Sequence, residues 1–275
     1  MDVESQMIFD IGAHKGDDAS VYLQQGFKVI SVEANPQLIS ILENRFKKQI
    51  GTGQLHIIHA AITLQNEGEV ILNVHDDTSK SSLVAQPAKH QVPVACRTLS
   101  SLIAEFGLPF YCKIDIEGSD LDALKSLLPQ QTPLYISVEI SGSCIKQILN
   151  NEQSLFATID QLFLLGYNKF KLVDQEKLVV LTKDSFYKKS MQFNTRIKYK
   201  LQHIFTQDNR SRFLKQFKLE KNAEISGLPS HLLPGEWYGY ETMKEMIATH
   251  FREFAFVARN KEFIFWVDLH ATIDA

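Results

Sequence analysis

Between Met7 and about Leu181, short β-branched runs alternate with stretches of helical period, and this alternation constrains the fold of the 275-residue chain more than any other feature. It is the pattern of βαβ units, whose crossover helices force the strands into a mostly parallel sheet with helices on both faces. Residues 7–11 read as the first strand and 17–25 as the helix after it. Residues 29–32 form the second strand, and Asn35-Pro36 then supplies an N-cap with proline at the first position of a helix reaching about Phe46. Residues 55–62, 110–116 and 134–138 read as further strands, with helices at 99–106, 121–128 and 153–165 and a closing hairpin over 170–181.

Two stretches depart from that rhythm. Residues 63–97 carry strand-like runs at 70–74 and 92–96 with no helical period between them, and read as an inserted β segment bearing Asp76, Asp77, Ser81, Ser82 and His90. Beyond Leu181 the charge changes sign: residues 1–183 hold 15 Lys and Arg against 21 Asp and Glu, residues 184–221 hold 10 against 3, and residues 222–275 hold 4 against 8. The expected division is therefore a domain over 1–183 and an α-rich C-terminal extension over 184–275, made of a basic helical connector and an aromatic-rich tail. In the connector, Phe193, Ile197, Leu201 and the residues after Arg210 recur at helical spacing. Its charges read as the solvated side of packed amphipathic helices in preference to a nucleic-acid surface. Trp237, Tyr238, Tyr240 and Phe251 make the tail too apolar to hang free, and suit it to gripping an acceptor molecule.

Cys96, Cys112 and Cys144 lack metal-ligand spacing and read as buried reduced thiols. The start of the chain shows neither a basic leader nor a long apolar run, and no stretch approaches the roughly 18 apolar residues of a membrane span, so a cytoplasmic protein is expected. His75, His90, His231, His250 and His270 fall in apparent loops or in the tail, where solvated or capping roles are expected.

Chemistry concentrates at three places. Phe9-Asp10-Ile11-Gly12-Ala13-His14-Lys15-Gly16 runs a buried strand into a glycine-bearing turn, and glycines at that point let a backbone approach a ligand. It is neither the dinucleotide G-x-G-x-x-G pattern nor a phosphate loop, and Asp17-Asp18 would repel a pyrophosphate, which argues against a nicotinamide dehydrogenase. Glu33 ends the second strand 21 residues after Gly12, where a carboxylate can accept hydrogen bonds from both hydroxyls of a ribose lying across the strand ends. The third place is Lys113-Ile114-Asp115-Ile116-Glu117-Gly118. With strands in the order 3-2-1-4-5, it stands beside Asp10 and Glu139 at the carboxyl edge. Lys113 then neutralises the acids, and Asp115 and Glu117 lie nearest the crevice mouth.

These three motifs, in this order, resemble the FkbM family of S-adenosylmethionine-dependent methyltransferases. Weaker matches are Ser81-Ser82-Leu83, Thr98-Leu99 and Leu165-Gly166-Tyr167, and the likeness covers about residues 7–181. His14, Ser100 and Asp120 replace the Asn, Asp and Glu usual in that family. The resemblance implies a class I, Rossmann-like methyltransferase fold and S-adenosylmethionine as cofactor, held by Asp10, Gly12, Ala13, His14, Gly16, Glu33, Ala34, Ala61 and Asp115. It implies methylation of a hydroxyl on a sugar, glycan or polyketide-like small molecule, without a nucleic-acid partner. Glu117, Asp115 and Glu139 are the candidate catalytic acids, with Glu117 first as general base. No metal is required, although the same three acids could hold Mg²⁺. The alternative is a protein of the same fold that binds cofactor without transferring a methyl group.

Overall fold

The computed structural model describes residues 6–74, 90–116, 118–141, 152–175, 177–183, 209–220, 223, 225–229, 233–257 and 266–273. Glu117, Cys144, His75, His231, the polar groups at 76–82 and the helix expected around 193–205 lie outside them.

The strands are β1 (Met7–Ile11), β2 (Lys28–Glu33), β3 (Leu55–His59), β4 (Ala61–Ile62), β5 (Glu69–Val74), β6 (His90–Arg97), β7 (Tyr111–Ile114), β8 (Tyr135–Ser141), β9 (Lys169–Asp174), β10 (Val179–Leu181) and β11 (Trp266–Thr272). The helices are α1 (Asp17–Gln24), α2 (Pro36–Arg45), α3 (Lys47–Gly51), α4 (Leu99–Phe106), α5 (Asp120–Lys125), α6 (Glu152–Leu164), α7 (Asn209–Gln216) and α8 (Tyr240–Val257). Eight strands form one sheet in the order β10-β9-β11-β8-β7-β1-β2-β3, so the expected order of the first five strands holds. β1, β2, β3, β7 and β8 are parallel, whereas β11 runs antiparallel to both neighbours. The inserted stretch forms its own three-stranded sheet, β4-β6-β5.

Strands buried on both faces need two cores, and the periodicity supplies them. Phe9, Ile11, Ile30, Val32, Cys112 and Ile114 face α4, α5, α6 and α8. Ile8, Val29, Leu55 and Tyr111 face α1 and α2, together with Leu214, Phe217, Ala223, Ile225, Leu228 and Leu233 of the extension. The helix starts are set locally. The Asn35 side chain accepts from the Gln37 N–H before Pro36, and Thr98 and Ser101 close a reciprocal capping box on α4.

The division expected at 183/184 does not separate the sheet, because β11, from the far side of that boundary, lies between β8 and β9. An unpaired gap in the middle of a sheet would strand two rows of backbone donors and acceptors, so the last strand completes the fold it was expected to stand apart from. β11 is the one strand among the described residues of the extension, beside the helices α7 and α8. His250 and His270, read as solvated, are buried in α8 and β11, and burial lowers both to a pKa of about 3, with Lys171 also disfavouring the charged form of His270. Cys96 and Cys112 are buried free thiols, and burial pushes Cys112 up.

Candidate active site

The carboxyl edge of β1, β2 and β7 brings two of the three motifs and part of the third together. After Ile11, the Gly12 and Ala13 N–H groups both donate to the Val32 carbonyl, at 2.9 and 3.0 Å, which lashes the turn to β2. His14 takes a left-handed conformation with φ 49°, and its N–H donates to Glu33 Oε2 at 2.9 Å. The Asn35 N–H donates to Glu33 Oε1 at 2.8 Å. Backbone donors thus reach both carboxylate oxygens of Glu33, with the Ala34 N–H adding to those of His14 and Asn35. Burial raises the Glu33 pKa, and the N–H groups of Asn35 and His14 oppose that rise.

The glycines serve packing. A Cβ on Gly12 (φ 84°) would lie 1.8 Å from the Asp115 carbonyl oxygen, and one on Gly16 would lie 2.5 Å from the Phe46 ring. The close approach expected of them is made by the β7 loop and α2. Ala34 packs against a small cluster of Ala61, Leu72, Val74 and Val94, so the three-stranded sheet leans on the crevice at the β2 side.

At the β7 side, aligned neighbours share a face of the sheet, and Asp10 is aligned with Lys113. Lys113 Nζ lies 3.0 Å from Asp18, 3.4 Å from Asp115 and 3.8 Å from Asp10. Burial alone would lower the Lys113 pKa, but the carboxylates of Asp18, Asp115 and Asp10 outweigh it and hold the ammonium charged well above its usual range. Burial raises Asp10 to about 7 against the pull of Lys113. Asp115 moves down, because Lys113 and hydrogen bonds from Glu139 and Ser226 overcome its burial. Asp115 keeps 20% side-chain exposure where Asp10 has none and Asp18 only 4%, so Asp115 is the acid of this group that meets the crevice. Glu139 is buried and aligned with Asp268 on β11, so it reaches the edge through Asp115. Asp120, at the position where the resemblance leads one to expect Glu, accepts from the Ile116 and Gly118 N–H groups at 2.9 and 3.0 Å and fixes the turn on either side of residue 117. Burial raises Asp120 to about 6. Among the described residues, no group of three or more His, Cys, Asp or Glu side chains is arranged to hold a metal ion.

Residues 225–229 of the extension cover this cluster. Ile225 and Leu228 are 1% and 0% exposed, each burial stabilising the docked segment by roughly 1.5–3 kcal/mol. Arg210, one of the connector charges, donates to the Ala223 and Ile225 carbonyls at 2.6 and 3.3 Å. Trp237 and Tyr238 of the tail lie elsewhere. Trp237 stacks on Tyr135, the first residue of β8, and Phe170, near the start of β9, bridges to Tyr238, so these rings pack at the amino ends of the strands, opposite the crevice. Sequence reasoning missed Asp18, Ser226 and Gly227. For Asp18 a signal existed, since it precedes the buried Val21 and Tyr22 by three and four residues and so lies on the inward stripe of α1.

Several solved structures resemble this one. They include a methyltransferase FkbM from Methylobacillus flagellatus (19% identity, 49% of this chain and 32% of that chain, TM-score 0.35). A second is an S-adenosylmethionine-dependent methyltransferase from Thiobacillus denitrificans in complex with S-adenosylhomocysteine (10%, 97% and 84%, TM-score 0.38). A third is phosphoethanolamine N-methyltransferase 2 of Haemonchus contortus in complex with S-adenosylmethionine (11%, 98% and 49%, TM-score 0.40). The chain spans about a third of the length of the first of these, 32%. No curated protein matches the sequence. The family description "Methyltransferase FkbM domain" matches residues 10–169, from Asp10 on β1 through the Glu33 and Asp115 edge to the start of β9, and by that match over more than half its length the chain belongs to the FkbM methyltransferase family.

Proposed function

We propose that this protein is an S-adenosylmethionine-dependent O-methyltransferase whose acceptor is a hydroxyl of a sugar, glycan or polyketide-like small molecule in the cytoplasm. The observation that carries the cofactor part is Glu33, whose carboxylate is fixed at the end of β2 by backbone N–H groups, where it can accept from the hydroxyls of a ribose. Ala34 and Ala61 supply small apolar surface beside it, and the turn of Ala13 and His14 forms the floor. The cofactor supplies an activated methyl group on a sulfonium. The protein aligns the acceptor oxygen with it and excludes water.

Asp10 acts in this reading through Lys113, and Gly12 and Gly16 act by letting β7 and α2 close on the turn. Asp115 is the acid available at the edge, with Glu139 behind it. Glu117, next in sequence to Ile116, whose N–H donates to Asp120, is our choice of general base for the acceptor hydroxyl. A divalent ion at Asp115, Glu117 and Glu139 would polarise the same hydroxyl, and sensitivity to chelator distinguishes that route.

Calorimetry tests the cofactor site. The wild type should bind S-adenosylmethionine, and Glu33→Ala should weaken binding by roughly 1–3 kcal/mol, the cost of leaving polar partners unmatched. Unchanged affinity removes Glu33 from the site. Transfer of labelled methyl from the cofactor to a hydroxyl in a cell extract tests the reaction, and binding without transfer supports the non-catalytic alternative.

A further inference from the structure

Residues 225–229 sit on the edge that carries Asp115, and their contacts go beyond packing. The Ser226 and Gly227 N–H groups donate to the two oxygens of Asp18, at 3.3 and 3.2 Å. With Asp18 so engaged, the single hydroxyl proton of Ser226 goes to Asp115 Oδ2, at 2.9 Å, with Asp18 Oδ2 further off at 3.2 Å. Lys113 Nζ approaches the same two oxygens, Asp18 Oδ2 at 3.0 Å and Asp115 Oδ2 at 3.4 Å. The two carboxylates are thus joined by the ammonium from β7, which approaches both, and by Ser226, whose N–H serves Asp18 and whose hydroxyl serves Asp115. Gly227 lies directly on the Lys113 stem, for a Cβ there would meet its carbons at 2.4–2.9 Å. The Gly227 carbonyl accepts from the Tyr22 hydroxyl, and the Leu228 carbonyl from that of Tyr111 at 3.5 Å.

We propose that residues 225–229 are part of the active centre, with Ser226 a positioning residue that fixes the Asp115 carboxylate against Lys113 and so holds it in the orientation the cofactor meets. The role rests on the cofactor reading above. It follows from what holds Asp115. The Asp115 main chain is tied to β1 by its N–H donating to the Ile11 carbonyl at 3.0 Å, so only the side chain is free to turn. One of its oxygens is fixed from both sides by Lys113 and Ser226. Without the hydroxyl, that oxygen would keep the ammonium at the longer distance, shared with Asp18 and Asp10, and the carboxylate would keep its hydrogen bond with Glu139. The region long in sequence from the family motifs thereby sets the geometry of the most distinctive one.

The experiment compares wild type, Ser226→Ala and Ser226→Thr by calorimetric titration with S-adenosylmethionine across pH, and by hydrogen exchange of the 225–229 amides in the free protein. Charged groups facing Asp115 are Asp10, Asp18, Lys113, Asp120, Glu139 and Asp268. None is altered by the substitutions. Ser226→Ala should weaken cofactor affinity roughly 3- to 10-fold, the scale of a hydrogen bond to a charged group partly replaced by water. It should also move the acid limb of the affinity profile to higher pH, since the hydroxyl favours the ionised Asp115. Exchange of the 225–229 amides should quicken, and Ser226→Thr should restore all three. Wild-type affinity and profile in Ser226→Ala overturn the proposal, as does failure of Thr to rescue, which would make the serine a packing residue. If the wild type itself binds no S-adenosylmethionine, the cofactor reading fails and the positioning role falls with it.

Discussion

The ends of β2 and β7 each present a carboxylate to the crevice, and they hold it in opposite ways. Glu33 is held by main-chain N–H groups from residues 14 and 35, within a turn and a helix start that adjoin its own strand. Asp115 is held by side chains, Lys113 beside it, Glu139 on β8 and Ser226 from a segment more than a hundred residues away, and it shares the ammonium with Asp10 and Asp18. The first arrangement tolerates side-chain change, because its donors belong to the backbone. The second depends on the balance of a few charges, all but Asp115 almost wholly buried, so single substitutions should separate the two ends.

The largest effect should come from Lys113→Met, which keeps the length of the stem and removes the ammonium that lies within 4 Å of Asp10, Asp18 and Asp115. Removing one partner of a buried ionic group typically costs about 3–5 kcal/mol. Urea denaturation at neutral pH should show a loss of that size. A loss below about 1 kcal/mol would mean that the acids are already neutralised by protons and that the ammonium holds nothing together.

A smaller effect, and one of opposite sign, is expected at Asp10. Its ordinary pKa of 3.8 is raised to about 7 in the folded chain, chiefly by burial. The folded state therefore binds this proton more tightly than the unfolded one, and the contribution of Asp10 to stability declines as pH climbs from about 4 to about 7. Asp120, raised to about 6, acts in the same direction. Asp115, whose pKa is lowered, acts the other way: its contribution is present above the ordinary carboxyl range and is lost as pH falls through its depressed value. Asp10→Asn should gain on the wild type, by on the order of 1–3 kcal/mol, between pH 4 and pH 8. Parallel stability curves for the two proteins would show that Asp10 is ionised in the folded state throughout.

The same contrast explains what could be read from the sequence. The Asn35-Pro36 helix start and the place of Glu33 at the end of β2 follow from short-range patterns, and each is where its spacing puts it. Lys113 as neutraliser of the acids also followed, since alternation on β7 and the order of strands bring it to Asp10. Ser226 and Gly227 carried no such signal. Nothing in a short polar pair between Ile225 and Leu228 tells which strand end it will meet, because that is decided by docking of two apolar residues far along the chain. β11 was hidden for a related reason. Its Trp266-Val267-Asp268-Leu269-His270 has strand-like alternation, but its inward-facing charges read as solvated until the strands on either side are known.

The smallest effect should be at the β2 end, with Asn35→Ala. The Asn35 side chain caps α2 by accepting from the Gln37 N–H at 3.0 Å, and losing such a cap costs about 1 kcal/mol. The bond that matters to Glu33 comes from the Asn35 main-chain N–H, which alanine keeps, and the partner bond from the His14 N–H is untouched. Pro36 still restricts the backbone at the helix start, so the N–H should keep its direction. Stability should therefore fall by about 1 kcal/mol, while affinity for S-adenosylmethionine stays within about twofold of wild type. A tenfold loss of affinity, measured by the same calorimetry, would show that the end held by main-chain donors is as dependent on its side chains as the end held by Lys113 and Ser226.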